Sequence, residues 1–567
     1  MEQRPYLHWQ QLPRHGHRRR DERRQWRSHR HGCGELKTAA GQGFIKQGAG
    51  TLEVTSTGAG GAASVVNGTL NVAAGTLQIN RTGGTGDAGS GDFLVTGLTG
   101  SGTITNGANT ERWLFVNGTG AFGGTLANGG GTGGLGFNKQ GTGIFTLTGS
   151  NSFSGATTVS GGTLSIVGTN SLGGPVNLNG SAALPSILNL QNSNALGTSV
   201  VTSTNRNSGI QLQGGITLPS TVSFITSNDG TSGATVPYAI GNVSGNNTIN
   251  GTISLTVGGG PSIIQSDSGS LTLAGNITIA TGQTSRGIIL QGTSTGANTF
   301  SGALSDLSVT SLASITKNGT GTWTVSGANN PYSGVTAVNE GTLVISGNIT
   351  GATNVTVAAN ATLAGNGNLG GNVTVAANGI HSLAVGANPG VQVKRTIAGT
   401  LTLAAGNILN LTGTPEPGVY IIATANGGIT GTPTTVIFNG IPGSVSVSGD
   451  GKDLVLTVSV AGTYASWAAT NAGGQASTLD FDNDGMKNGV EYFMGATGST
   501  FTPNPGIVGG KITWPKDPGF SGNYTVQTST NLVNWTDVPS NNLGNAVEYV
   551  VPASPSPLFV RLDVKPN

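Results

Sequence analysis

The sequence predicts an all-β chain whose body is a solenoid of short stacked strands. Three observations point there. Glycine supplies 98 of 567 residues, about 17%, against a usual ~7%. Charged residues are only 8% while hydrophobic residues reach 35%, so an ordinary charged surface is missing although a core can form. The phrase Gly-Thr-Leu recurs, for example at Gly50, Gly68, Gly162 and Gly341. Length alone would imply several domains of ~150 residues, but a solenoid grows by adding rungs and escapes that limit.

The clearest copies of the repeat begin at Lys46, Lys139 and Lys317 and cover 46–72, 139–166 and 317–345. Each opens Lys-x-Gly-x-Gly, continues through Ser-Gly-x-Thr-x-Val where the copy is complete, and closes on Gly-Thr-Leu. The Gly68-Thr69-Leu70 phrase is expected to close the first copy. In Thr163-Leu164-Ser165-Ile166, apolar and polar residues alternate with the period of a half-buried strand. Gly161-Gly162 precede it and allow a tight corner. Glycine and β-branched residues disfavour helix. One such unit cannot bury its apolar face, but stacked units can. Inward Leu, Val and Ile ladders form the expected core, and outward Thr, Ser and Asn rows stay wet.

These residues resemble the autotransporter-associated β-strand repeat of bacterial passenger domains, strongly over the three copies and loosely over 41–460. The run Ala361-Thr-Leu-Ala-Gly-Asn-Gly-Asn-Leu369 looks like the usual end of such a passenger. The resemblance implies a right-handed parallel β-helix on the cell exterior and names no ligand. The translocator barrel that normally ends an autotransporter has no counterpart in 461–567. In that respect the chain is closer to the repeat proteins of planctomycete- and verrucomicrobia-type bacteria, with their different C-terminal module.

Residues 1–40 stand apart as an aberrant basic segment. Residues 1–33 hold nine arginines, five of the six histidines and two of the seven tryptophans. Reading the codons of Tyr6 to Arg18 one nucleotide later yields a Thr-x-Thr-Gly-Asn/Ser phrase like Thr146-Leu147-Thr148-Gly149-Ser150. The expectation is an out-of-frame or disordered stretch, with the true start and its export signal upstream. After residue 37 the chain carries 15 basic and 19 acidic residues. It has no basic stripe for phosphate, so nucleic acid is not an expected partner. It has no continuous apolar run of the length a membrane-spanning helix needs.

After Val460 the composition changes. Tyr464, Trp467, Tyr492, Phe493, Trp514, Tyr524 and Trp535 suggest a separate aromatic core. The expected divisions are a linker with a calcium loop at 461–498 and a small β-sandwich-like module, a cap or attachment unit, at 499–567. The loop Asp480-Phe-Asp482-Asn-Asp484-Gly485-Met486-Lys-Asn488-Gly-Val-Glu491 fits D-x-D-x-D-G-x5-E. Asp480, Asp482 and Asp484 would converge on one ion, Gly485 would make the turn, and the Met486 carbonyl, Asn488 and Glu491 would complete the shell. Oxygen donors select Ca²⁺ in a structural role. Thr470 to Ser477 does not read as a helix, and only Asn488 to Met494 could start one.

No catalytic residue is expected. The single cysteine, Cys33, offers no disulfide or cysteine metal site. His381 is the only histidine beyond residue 31 and reads as a rung residue. The expected function is a secreted or cell-surface structural or adhesive protein. The alternatives are a β-helix polysaccharide lyase or hydrolase, for which Asp229, Asp267, Asp306 and Glu340 are too scattered, and a module binding extracellular glycans or cell-surface components.

Overall fold

The structure, a computed structural model, describes residues 31–33, 36–55, 64–80, 93–227, 235–256, 260–389, 393–439, 443–458, 462–554 and 558–567. Nearly all of the expected out-of-frame segment, residues 1–30, lies outside them. The chain is all-β, a parallel solenoid of about 15 turns followed by small antiparallel sheets. It divides into two compact units, 1–380 with 397–402, and 381–396 with 403–567.

The first unit winds its strands onto three faces. One face runs from Phe44–Lys46 to Ile277–Ile279, and a second from Gly120–Phe122 to Val373–Val375. A third starts with His31–Cys33 and Thr51–Val54 and is resumed by Thr217–Leu218 through Thr362–Ala364. The first described pairing, His31 to Leu52, precedes residue 41. Rungs are uneven. Val355 pairs with Val373 across a short rung, whereas Ile210 pairs with Ile240 across a much longer one.

The expected ladders are present. Leu164, Leu188, Ile210, Ile240, Ile264 and Leu290 stack in register on the second face, all buried. Each contributes ~1.5–3 kcal/mol of burial. Phe300, Val325 and Ile345 do the same on the third face.

Polar residues inside the stack hold its corners. Lys317 follows Leu290 and precedes Val338 in one inward column, so its aliphatic stem packs as a hydrophobe. Its ammonium donates to the carbonyls of Asn318 at 2.9 Å, Gly319 at 2.6 Å and, on the next rung, Glu340 at 3.0 Å. Lys139 binds Gln140, Gly141 and Gly161 in the same way, and Lys46 binds Gln47, Gly48 and Ala74. Burial pushes Lys139 and Lys317 down to about 8, so both are still cations at neutral pH.

The closing glycine of the motif fits the same corner. Gly341 has φ +64, and a Cβ on it would lie 2.4 Å from the Gly319 carbonyl oxygen. Gly162 over Gly143 and Gly75 over Gly48 repeat both features. The first copy therefore closes on Gly75-Thr76-Leu77, whose Thr76 pairs with Thr51. The expected Leu70 pairs instead with Phe44, on the strand that begins the copy. The phrase Gly-Thr-Leu occurs in both places, and only the lysine contact tells them apart.

Asparagines secure another corner. Asn330 is fully buried. Its Oδ1 accepts from the Leu304 N–H at 3.0 Å, and its Nδ2 donates to the Gly327 and Asn348 carbonyls. Asn151 links Leu126, Gly149 and Asn170 likewise.

In the second unit, parallel pairing continues between Ile408–Thr412 and Thr435–Ile437. The region expected to be solenoid up to 460 then departs from it. Gly418–Ala425, Gly443–Val447 and Asp453–Val458 form an antiparallel sheet. The turn Ser448-Gly-Asp-Gly451 is responsible. Gly451 has φ +74 and the Asp453 N–H donates to Ser448 Oγ at 2.9 Å, which folds the last two strands into a hairpin.

Residues 511–566 build two three-stranded antiparallel sheets. They share a core of Ile512, Trp514, Val526, Val547, Tyr549 and Leu562, in keeping with a small sandwich-like module. Two short helices precede them, α1 (Tyr464–Asn471) and α2 (Asn488–Met494). Helix α2 forms where one was expected to start, whereas α1 was not anticipated and takes in Thr470 and Asn471, which were expected to be non-helical. Among the described residues no helix is long and apolar enough to cross a membrane.

Replacing Lys317 by Met keeps the stem and removes the three N–H donors. Lys317→Met is expected to lower the unfolding free energy by about 2–4 kcal/mol, read from urea unfolding followed at the buried Trp323. An unchanged midpoint would reduce the lysine contacts to incidental ones.

Candidate metal site

The loop before α2 gathers the acidic residues of the sequence motif. One carboxylate oxygen from each of Asp480, Asp482 and Asp484 lies within 4.8 Å of the others. The backbone folds around them. The Asp484 N–H reaches Asp480 Oδ1 at 3.3 Å and Asp482 Oδ1 at 3.2 Å, and the Gly485 N–H reaches Asp480 Oδ2 at 2.8 Å. Gly485 has φ +94 and no atom near where its Cβ would be, so the turn itself demands glycine there.

The other motif residues take distinct positions. Met486 donates its N–H to Asp484 Oδ1 at 2.7 Å and turns its side chain into the core with Val490, Phe493 and Trp514. Asn488 is fully buried. Its Oδ1 accepts from the Phe481 N–H at 3.0 Å and its Nδ2 donates to the Ala476 carbonyl at 3.2 Å, so it ties the loop closed.

Glu491 sits on α2 with no exposed surface. Its Oε1 accepts from Thr502 Oγ1 at 2.9 Å, while Oε2 is buried with no hydrogen-bond partner. Burial, followed by the charges of Asp484, Asp482 and Asp480, pushes its carboxyl up to about 7. The oxygens that lie within 4.8 Å of one another are those of the three aspartates, and Glu491 is not among them. A buried acceptor without a partner is unfavourable by itself, and a cation held by the aspartates would offset the charges that help raise the Glu491 carboxyl. Thr502 was not foreseen. Its backbone N–H also donates to Asp484 Oδ2, yet it lies well downstream of the loop in Phe501-Thr502-Pro503, where no motif marks it.

Aromatic rings connect α1 and α2. Tyr464, Trp467 and Tyr492 lie within 5.7 Å of one another by ring centroids. Phe493 packs edge-on to Phe520 and Tyr524 at 4.9 and 5.0 Å. The expected aromatic core thus exists, with Trp535 outside it, under Arg561 at 4.0 Å.

Elsewhere, two of the scattered acids hold backbone groups. Asp306 accepts from the Ala313 and Ser333 N–H groups, and Glu340 from that of Gly319. Asp229 lies outside the described residues. His381 is a buried rung residue whose Nε2 is 3.1 Å from Arg395 Nη1. Burial, with Arg395 second, holds it well below the usual histidine range.

Residues 137–166 and 315–345 match the family model of the passenger-associated-transport-repeat. No curated protein and no solved structure matches the chain. Both matched stretches begin on the strand that carries a buried repeat lysine.

The His381 environment sets a pH dependence. Its folded pKa lies below the unfolded ~6.5, so in acid the unfolded chain binds the proton first. Stability is therefore expected to fall by about 1.4 kcal/mol per unit below pH 6.5 from this group. In denaturant titrations between pH 7 and 5.5, His381→Gln should remove that component, and an unaltered slope would contradict the assignment. The chain is a parallel β-solenoid bearing two passenger-associated transport repeats, a combination that fits a secreted passenger.

Proposed function

We propose that the protein is a surface-displayed bacterial passenger with a structural or adhesive role and no catalytic activity of its own. The observation that carries this reading is the filled interior of the solenoid at the two matched repeats. Their polar residues are committed to adjoining rungs: Lys139 and Lys317 donate to backbone carbonyls, Asn330 donates to the Asn348 carbonyl, and Asn151 accepts from the Leu126 N–H and donates to the Asn170 side chain. Such a stack leaves its outward positions free to vary. Asp306 and Glu340, two of the scattered acids of the body, accept hydrogen bonds from backbone N–H groups. Antibodies raised against residues 41–460 should label intact cells of the source bacterium. Labelling only after lysis would sink the reading.

The C-terminal module is read as a calcium-stabilised cap or attachment unit, of the kind found in planctomycete- and verrucomicrobia-type repeat proteins. Asp480, Asp482, Asp484 and Glu491 would hold Ca²⁺ through carboxylates, and Met486 through its carbonyl. Asn488 Oδ1 keeps one lone pair beyond its bond to Phe481. The ion would supply the positive charge that the cluster lacks. Millimolar calcium, an extracellular level, suffices for a site of this type. The melting temperature is expected to rise by several degrees in ~2 mM calcium and to lose that response in Asp480→Ala and Glu491→Gln. A wild-type protein indifferent to calcium and chelator would refute the site.

A further inference from the structure

The outward side of the second face carries a feature that neither the repeat nor the calcium loop uses. Ser165, Asn189, Gln211, Gly241, Gln265 and Gln291 occupy consecutive rungs in register. Several neighbours are bonded along the stack. Ser165 Oγ donates to Asn189 Oδ1 at 3.3 Å, Asn189 Nδ2 to Gln211 Oε1 at 3.1 Å, and Gln291 Nε2 to Gln265 Oε1 at 2.8 Å. At Gly241 the amide column is interrupted, and Tyr238 fills the gap. A Cβ on Gly241 would lie 2.8 Å from its ring, and one on Gly209, a rung earlier, 3.3 Å. Gln211 Nε2 donates to the Tyr238 hydroxyl at 2.7 Å. Beyond the tyrosine, Gln265 Nε2 donates to Asp267 at 2.6 Å. Asp267 then lines an open groove of about 510 Å³ with Asn246, Ser270, Thr293 and Thr295.

Bonding along the column accounts for part of these groups. Each carboxamide has two N–H donors and two acceptor lone pairs, and Gln211, Gln265 and Gln291 are partly exposed. Donors and acceptors therefore remain at the rung spacing of ~4.8 Å. Stacking of rungs does not require an aromatic ring seated on two glycines, nor hydroxyls and a carboxylate around a groove beside it.

We propose that this patch binds an uncharged polysaccharide, laid along the stack over the glutamines, with Tyr238 against an apolar sugar face and Asp267 accepting hydroxyl hydrogens in the groove. Sugars present hydroxyls that both donate and accept, and amides answer both. An aromatic side chain offers apolar area with a polar tip. The patch has one carboxylate and no lysine or arginine among the residues that form it, so an acidic glycan would gain no complementary charge. The inference deepens the adhesive reading by naming a ligand class, and it depends on that reading only for the ligand being within reach.

The test is native gel electrophoresis of the full chain with hydroxyethylcellulose, a soluble β-1,3-glucan or galactomannan cast into the gel, and polygalacturonate as the acidic comparison. At least one neutral polymer is expected to retard the protein. Retardation should be about fivefold weaker in Tyr238→Ala and in Asp267→Ala, with far-ultraviolet circular dichroism unchanged. Asp267 is exposed, so its variant remains informative if Tyr238→Ala disturbs the fold. Migration unaffected by every neutral polymer, retardation equal in wild type and both variants, or retardation by polygalacturonate alone would overturn the proposal. Surface labelling of cells without retardation would overturn the glycan patch while leaving the passenger reading intact.

Discussion

The solenoid depends on satisfying the backbone at its corners. Along each face, parallel pairing takes care of N–H and C=O groups rung by rung. Where the chain turns from one face to the next, carbonyls leave the ladder and some point inward. A buried carbonyl without a donor costs of order 1–3 kcal/mol, and a stack of rungs repeats the problem at every turn. The repeat answers it with an ammonium that reaches three carbonyls at once, two on its own corner and one on the following rung. Glycine at the facing position is a consequence, because the corners stack too closely for a Cβ. The conspicuous Lys-x-Gly-x-Gly and Gly-Thr-Leu phrases are two halves of one contact.

This explains which parts of the fold were legible in the sequence. Alternation marks a strand because side chains point to opposite faces, so Leu164 and Ile166 announced their column directly. The lysine and asparagine roles were hidden. A charged or amide residue reads as exposed unless its partners are known, and the partners of Lys317 and Asn330 are backbone groups, which carry no residue-type signal. The same ambiguity misplaced the end of the first repeat, where two Gly-Thr-Leu phrases differ only in which one faces a lysine. The hairpin near Ser448 was missed because short apolar strands look alike whether they pair parallel or antiparallel, and the deciding information lies in the turn.

In the C-terminal module the motif gave the acidic loop and α2, since spacing alone brings the three aspartates together. It gave neither Thr502 nor the second use of Asn488. Those contacts join the loop to segments that are distant in sequence, and Met486 makes the loop part of the core by packing with Phe493 and Trp514.

The corner device is local, and this bears on how such a chain can diversify. Lys139 lies on the first face and Lys317 on the second, so the motif is not bound to one side of the stack. Short rungs such as Val355 to Val373 coexist with long ones such as Ile210 to Ile240, because added residues can bulge from a turn while the ladders stay in register. Core columns and corner contacts fix the stacking of rungs, and outward positions are released from it. The run of amides at Asn189, Gln211, Gln265 and Gln291 is one composition that this freedom permits, placed where variation costs the stack least and meets the surroundings first.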